Sequence, residues 1–184
     1  TVGAQWVGAV PGAGGLNAAQ MLAGELKAAL LLNTEPLFDS AAGASAHAGL
    51  AKADMVVSLS PFRANLDLCD VVLPIAPFTE TSGSFINAEG RLQSFHAVVR
   101  PLGDARPAWK VLKVLADLLG TTTPHASSQD VLRTVAGLPA ESGSLVDQSR
   151  LSNRPVDGAI DVAPVSGHVP VVASIYQLDG LVRR

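Results

Sequence analysis

Cysteine is nearly missing from this chain of 184 residues, with Cys69 the only one. A single thiol makes no intrachain disulfide, and an iron–sulfur cluster ordinarily takes four cysteine ligands, so no cluster is expected here. Within Leu68-Cys69-Asp70, ahead of an apolar run, the thiol reads as a small core residue. One reduced cysteine also suits a cytoplasmic setting. Charge is sparse too: charged residues make up 16% of the chain and the net charge is −3. The 13 basic residues are scattered, and Arg183-Arg184 is the only adjacent pair, so a nucleic-acid footprint is not expected. Long apolar runs are absent. The longest, Ala28 to Leu32, has the length of a strand and falls far short of the ~20 residues that span a bilayer. Residues Thr1 to Gly15 lack the basic start and apolar block of a secretory signal, and the opening Thr1 fits a piece of a longer protein.

Apolar residues account for 48% of the chain, which excludes a disordered tail. A chain of this length can bury roughly 70% of the surface it exposes when unfolded. Mean hydropathy is +0.32, high enough to suggest surface that a partner covers.

The pattern along the first half predicts alternating strands and helices. Trp6 to Val10 reads as a short strand, followed by the loop Pro11-Gly12-Ala13-Gly14-Gly15. Asn17 is placed to cap a helix carried by Met21, Leu22 and Leu26. Ala29 to Leu32, Asp54 to Leu59 and Asp70 to Pro74 read as buried strands, with a small-residue helix over Ala41 to Ala51 between the first two. Continuous apolar strands separated by helices predict a parallel sheet, so the fold class is α/β, a partial doubly wound sheet. Pro74 to Pro101 is a polar excursion, with strands at Ser84 to Ile86 and Leu92 to Val99 around a turn at Asn87 to Gly90. A helix should start at Pro107, present Trp109, Leu112, Leu115, Leu118 and Leu119 on one face, and stop at Gly120. A second runs from Gln129 to Ala136, capped by Ser127 or Ser128 and ended by Gly137. Beyond Leu138 an irregular tail is expected, with one strand at Val169 to Tyr176. The domain reading is a Rossmann-like body over 1–120, including the loop 75–101, and an appendage over 121–184. A sheet cut from a larger one leaves an unpaired edge, so self-association of the isolated chain is expected.

No catalytic set stands out. Gly12-Ala13-Gly14-Gly15-Leu16-Asn17 puts Asn where a dinucleotide fingerprint needs its third Gly, and a plain tight turn accounts for it. Glu80 and Glu89 form a conceivable acid–base pair, but in a polar loop they read as solvated or hydrogen-bonded to backbone. His47, His96, His125 and His168 lie far apart without metal-ligand spacing, so no metal site is expected. Asp104 and Arg106, at a helix start, read as structural.

The excursion carries a more specific pattern. Asp70-Val-Val-Leu-Pro74, then Glu80-x-x-Gly83-x-Phe85-x-Asn87-x-Glu89-Gly90-Arg91-x-Gln93, then Pro101-x-Gly103-x-Ala105-Arg106-x-x-Trp109, resembles the molybdopterin oxidoreductase superfamily. Within it the chain looks most like the C-terminal part of the large, molybdopterin-oxidoreductase-like subunit of bacterial respiratory complex I. Formate dehydrogenases usually have Glu-Arg-Arg where Glu89-Gly90-Arg91 stands, and the ending Ile175 to Arg184 also resembles that large subunit. Ser84 stands where the superfamily commonly has Thr.

The resemblance implies a formate dehydrogenase/DMSO reductase-like body that serves as a non-catalytic scaffold in an NADH:quinone oxidoreductase. It also implies no cofactor in this piece and iron–sulfur clusters in the missing N-terminal part. The implied partners are those iron–sulfur domains and other peripheral-arm subunits, on the cytoplasmic side of the inner membrane and peripheral to it. The alternative is the C-terminal part of a formate-dehydrogenase-like subunit that binds molybdopterin dinucleotide. In that case Asn87, Arg91 and Gln93 are the residues implied to touch the pterin or its phosphates. A third reading, a free-standing dinucleotide-binding module, rests on the Gly12 to Gly15 turn alone.

Overall fold

A computed structural model describes residues 2–23, 26–40, 42–121, 123–136, 143–152, 176 and 179–183. The chain divides into two compact units, residues 1–151 and 152–184. In the second, only Ser152, Tyr176 and residues 179–183 are described. The first unit carries the sheet and the excursion.

Among the described residues its sheet has three strands, β1 (Ala28–Leu32), β2 (Met55–Ser60) and β3 (Val71–Pro74), in the order β1-β2-β3 and all parallel. Three apolar runs of four to six residues, each too short for a stable helix, gain most by pairing with one another. The α/β class and the parallel sheet are therefore as the sequence predicts. β2 lies at the centre, with Leu59 and Ser58 fully buried. Leu31, Leu50 and Val56 form the core on this side, and Leu22, Leu26, Leu68 and Cys69 pack against it.

The helices preceding and linking these strands are short. α1 spans Val2–Trp6, α2 Ala18–Leu22, α3 Pro36–Asp39 and α4 Ala44–Leu50. Asn17 caps α2 through a reciprocal pair: its side chain accepts from Gln20 N at 2.9 Å, and the Gln20 side chain accepts from Asn17 N at 2.9 Å. This helix ends at Leu22 rather than near Leu26, which packs on the sheet from outside it.

The strand expected over Trp6 to Val10 does not form. Trp6 ends α1 and is buried against Leu92 and Val146, while the chain turns at Gly8 with φ +74°. An apolar run this short suits either state, and packing of the indole decided it. Arg150 lies over the Trp6 ring, 5.3 Å from its centroid.

The excursion is a hairpin of β4 (Gly83–Ile86) and β5 (Leu92–Phe95). β5 stops short of the expected Val99 because Val98 N and Val99 N donate to Thr79 O, at 2.9 and 3.4 Å, and so leave the ladder. Ile86 and Leu92 are cross-strand partners that join the Trp6 core. On the other face Phe85 stacks on Phe95 at 5.4 Å. Gly83 makes that possible, since a Cβ there would stand 2.6 Å from the Phe95 ring.

α5 (Ala108–Leu118) follows Pro107 and ends at Gly120, which has φ +78°. Trp109, Leu112 and Leu115 are half-buried, but Leu118 and Leu119 are exposed, so the apolar face is covered only along its first two turns. α6 (Ser128–Ala136) is capped by Ser127, whose hydroxyl accepts from Asp130 N at 3.1 Å. Its expected stop, Gly137, and the strand expected at Val169 to Ile175 lie outside the described residues. Tyr176, the last residue of that expected strand, sits in a 3-10 turn instead.

Truncating Leu59 at the sheet centre should show where stability resides. Leu59→Ala should cost about 2–5 kcal/mol in urea unfolding, because the side chain is fully enclosed. A loss below ~1 kcal/mol would contradict the central role of β2.

Candidate functional site

Among the described residues, polar groups come together at the turn of the hairpin and in the loops at the carboxyl ends of the parallel strands. In the hairpin turn, Asn87 Oδ1 accepts from Glu89 N at 3.1 Å and from Arg91 N at 2.8 Å. The backbone closes the same loop, with Asn87 N donating to Arg91 O at 3.1 Å and Gly90 N to Asn87 O at 2.9 Å. Asn is apt here because its short amide mimics a backbone acceptor. Gly90 takes φ +83°, and the Gln148 side chain packs so closely that a Cβ would lie 2.5 Å from its Nε2. Glycine is favoured at that position on both counts.

Arg91 is equally committed. Its Nε and one terminal nitrogen donate to the two oxygens of Glu89, at 3.2 and 3.0 Å, and the other terminal nitrogen donates to Gly143 O. This forked contact holds the Glu89 carboxyl below its ordinary range. Gln93 lies exposed on β5 opposite Phe85, and its side chain makes no hydrogen bond among the described residues. Of the three residues implied by the resemblance, the turn thus brings Asn87 and Arg91 together and binds both internally. Gln93 stands apart on the strand.

The second place was not singled out from the sequence. Beyond β1 the chain enters Asn33 at φ 48°, and beyond β2 it passes Asn65 at φ 61°. Asparagine tolerates this left-handed conformation better than most residues. Asn65 Nδ2 donates to Thr34 O at 3.0 Å, which clips the two loops together. Glu35 is buried beside this clip, and Asp39 closes the loop by accepting from Glu35 N at 2.7 Å. Ser60 is buried at the end of β2, and its hydroxyl accepts from Phe62 N at 3.1 Å. Arg63 follows, exposed and without an ion pair among the described residues. Ligands of open parallel sheets bind in the crevice outside the carboxyl ends of the strands. The signal was therefore readable once Leu32 and Ser60 were taken as strand ends.

The remaining candidates are bound up in structure. Glu80 accepts from Leu102 N at 2.9 Å. Arg106 donates to Gly103 O and Ala105 O, and its backbone lies parallel beside Ile75, just past the end of β3. His47 meets Asp67 at 3.1 Å, His125 meets Thr134 at 2.9 Å, and His96 is exposed; His168 lies outside the described residues. Asp104 is exposed in the turn before Arg106. Cys69 sits against the sheet core, and burial pushes its thiol up, opposed by a hydrogen bond with Ser58. Such a thiol stays protonated near neutral pH and is a poor nucleophile. The Gly12 to Gly15 turn is exposed, has no strand before it, and leads into a helix of five residues. Among the described residues no group of three or more His, Cys, Asp or Glu could hold a metal ion. No described helix is long and apolar enough to cross a membrane.

Known proteins share both the sequence pattern and the fold. The family model for molybdopterin oxidoreductase matches residues 1–118. A protein of Staphylococcus haemolyticus provisionally named a formate dehydrogenase is 33% identical over 96 residues, covering 51% of this chain and 10% of its own length. Its counterpart in Staphylococcus aureus is 36% identical over 80 residues, covering 43% of this chain and 8% of its own. The chain thus spans about a tenth of these relatives. Acetylene hydratase from Pelobacter acetylenicus shares the fold with a TM-score of 0.53 and 24% identity, over 66% of this chain and 19% of that one.

The Glu89–Arg91 contact gives a testable pH response. Because the folded carboxyl is lowered, its contribution is fully present above the unfolded glutamate value and is lost as pH falls through the lowered one. In a side-chain NMR titration Glu89 should have its midpoint below that of an unstructured glutamate, and Arg91→Gln should move it back up. An unchanged midpoint in Arg91→Gln would refute the pairing.

Proposed function

The chain belongs to the molybdopterin oxidoreductase family, and from that premise we propose that it is one portion of the body of a larger, formate-dehydrogenase-like redox enzyme. The observation that carries this reading is the family match over residues 1–118 together with relatives named for formate dehydrogenase. Those relatives favour it over the complex I reading.

A pterin dinucleotide suits one of the two polar places better than the other. At the hairpin turn, Asn87 Oδ1 and the Arg91 guanidinium are engaged by the turn backbone, Glu89 and Gly143, which disfavours this place for an incoming ligand. At the sheet rim, Arg63 offers a cation with no ion pair among the described residues and Asn33 an amide, on loops held together by Asn65. That set fits a phosphate-bearing heterocycle. Arg63 would neutralise phosphate charge, and Asn33 would orient a ring edge. The buried Glu35 and Ser60 would keep the two loops from spreading. When bound, such a cofactor supplies the redox chemistry of its molybdenum or tungsten centre.

A second reading is favoured by Gly90. Its φ of +83° disfavours any side chain, and the arginine that a Glu-Arg-Arg pattern would put there would also have to displace the Gln148 amide. That departure, and the closed turn around it, suit a body kept as scaffold in complex I without its cofactor. There it would stand beside iron–sulfur domains and peripheral-arm subunits on the cytoplasmic side of the inner membrane.

Metal analysis of the intact parent protein separates the two. The formate-dehydrogenase-like reading expects about one molybdenum or tungsten per chain by mass spectrometry. Iron with neither of these metals would overturn it in favour of the scaffold.

A further inference from the structure

The loops after β1 and β2 are joined by a bond that lies beside both groups placed at the rim. Asn65 Nδ2 donates to Thr34 O at 3.0 Å. Thr34 directly follows Asn33, and Asn65 stands two residues after Arg63. Asn33 N also donates to Leu59 O at 2.8 Å, so the backbone around Asn33 is tied to β2 on one side and to the β2 loop on the other. Asn65 is itself held in place by its loop, since its O accepts from Leu68 N and Cys69 N at 3.0 and 2.9 Å. A longer contact, 3.5 Å, runs from its amide to the hydroxyl of Ser58, which is fully buried in the sheet.

We propose that Asn65 is a positioning residue, which sets where Arg63 stands relative to Asn33 before a ligand arrives. This role rests on the reading of the rim as the place of a phosphate-bearing heterocycle. Asparagine suits the position for two separate reasons. Its φ of 61° is a conformation that asparagine and glycine accept at little cost. Its amide is also the donor that reaches the neighbouring loop, and glycine has none. Residues 61–70 connect β2 to β3 without a helix or strand of their own. A loop of that kind, left unclipped, samples many positions, and a ligand that needs both Arg63 and Asn33 must then bear the ordering entropy itself. Two other contacts hold the loop. Asp67 meets His47 of α4 at 3.1 Å, and the Asp70 carboxylate accepts from Val56 N of β2 at 2.7 Å. Neither reaches the loop after β1, so neither replaces Asn65 in this role.

The test is the rate at which pterin leaves the intact parent, followed by fluorescence of the oxidised extract, in Asn65→Gly, Arg63→Ala and the double variant. Glycine keeps the left-handed turn and removes only the amide. The expected result is that Asn65→Gly speeds the loss about tenfold, the size of one such hydrogen bond. The double variant should lose pterin little faster than Arg63→Ala, because a misplaced Arg63 matters only while Arg63 is there. Accelerations that multiply would show Asn65 supporting the fold apart from Arg63, and would overturn the proposal. An unchanged rate in Asn65→Gly would overturn it too. Asn65→Asp keeps the side-chain shape but turns a carboxylate oxygen toward Thr34 O, and it gives the same comparison if the glycine variant does not fold. Absence of pterin from the unsubstituted parent would end the rim reading and this role together. Pterin that is present but insensitive to Asn65 would end this role alone.

Discussion

Backbone pairing on both sides of β2 is the constraint on which the rest of the first unit depends. Met55, Val57 and Leu59 bond toward β1, while Val56, Ser58 and Ser60 bond toward β3. A strand used twice in this way must be buried, and burial at this site is tolerable only because the polar groups have partners. Ser58 and Ser60 meet that demand with hydroxyls that accept from Asn65 Nδ2 and Phe62 N. The parallel arrangement then fixes where the loops fall. All three strands end on one rim, so Asn33, Arg63 and the loop after β3 are collected there without any interaction among their side chains.

The hairpin solves a different problem. It follows the sheet in the chain, and its residues are of the kinds that bind ligands, yet the turn is satisfied from within. Asn87 replaces missing backbone acceptors, Gly90 supplies the left-handed residue, and Arg91 spans from Glu89 to Gly143. The underside of the hairpin holds Ile86 and Leu92 against Trp6 and Val146. The motif that identifies the family is therefore, in this chain, a device for anchoring α1, α6 and the segment near Val146 to one another. Those contacts hold the turn together, and they are the reason the rim is the place proposed for a ligand.

Much of the fold was legible because it follows from local rules. Ala28 to Leu32, Met55 to Ser60 and Val71 to Pro74 are apolar runs with turn residues at their ends, and Asn17, Ser127 and Gly120 are helix signals with a physical reason. Trp6 to Val10 failed because so short an apolar run does not distinguish strand from helix, and the deciding contacts come from Leu92 and Val146, far along the chain. The site was harder to read. Asn87 and Arg91 could be named from a motif, but their commitment to Glu89 and Gly143 is a matter of geometry. Asn33 and Asn65 carried no motif, and only the positive φ of each and the clip to Thr34 mark them.

If a pterin dinucleotide meets this chain at the rim and not at the hairpin turn, Arg63 should matter to its retention and Gln93 should not. The direct measurement is the pterin content of the intact parent, read by fluorescence of the oxidised, extracted cofactor, for Arg63→Ala and Gln93→Ala. The expected result is loss of pterin in Arg63→Ala and full retention in Gln93→Ala. Retention in the first with loss in the second, or no pterin in the unsubstituted parent, would contradict it.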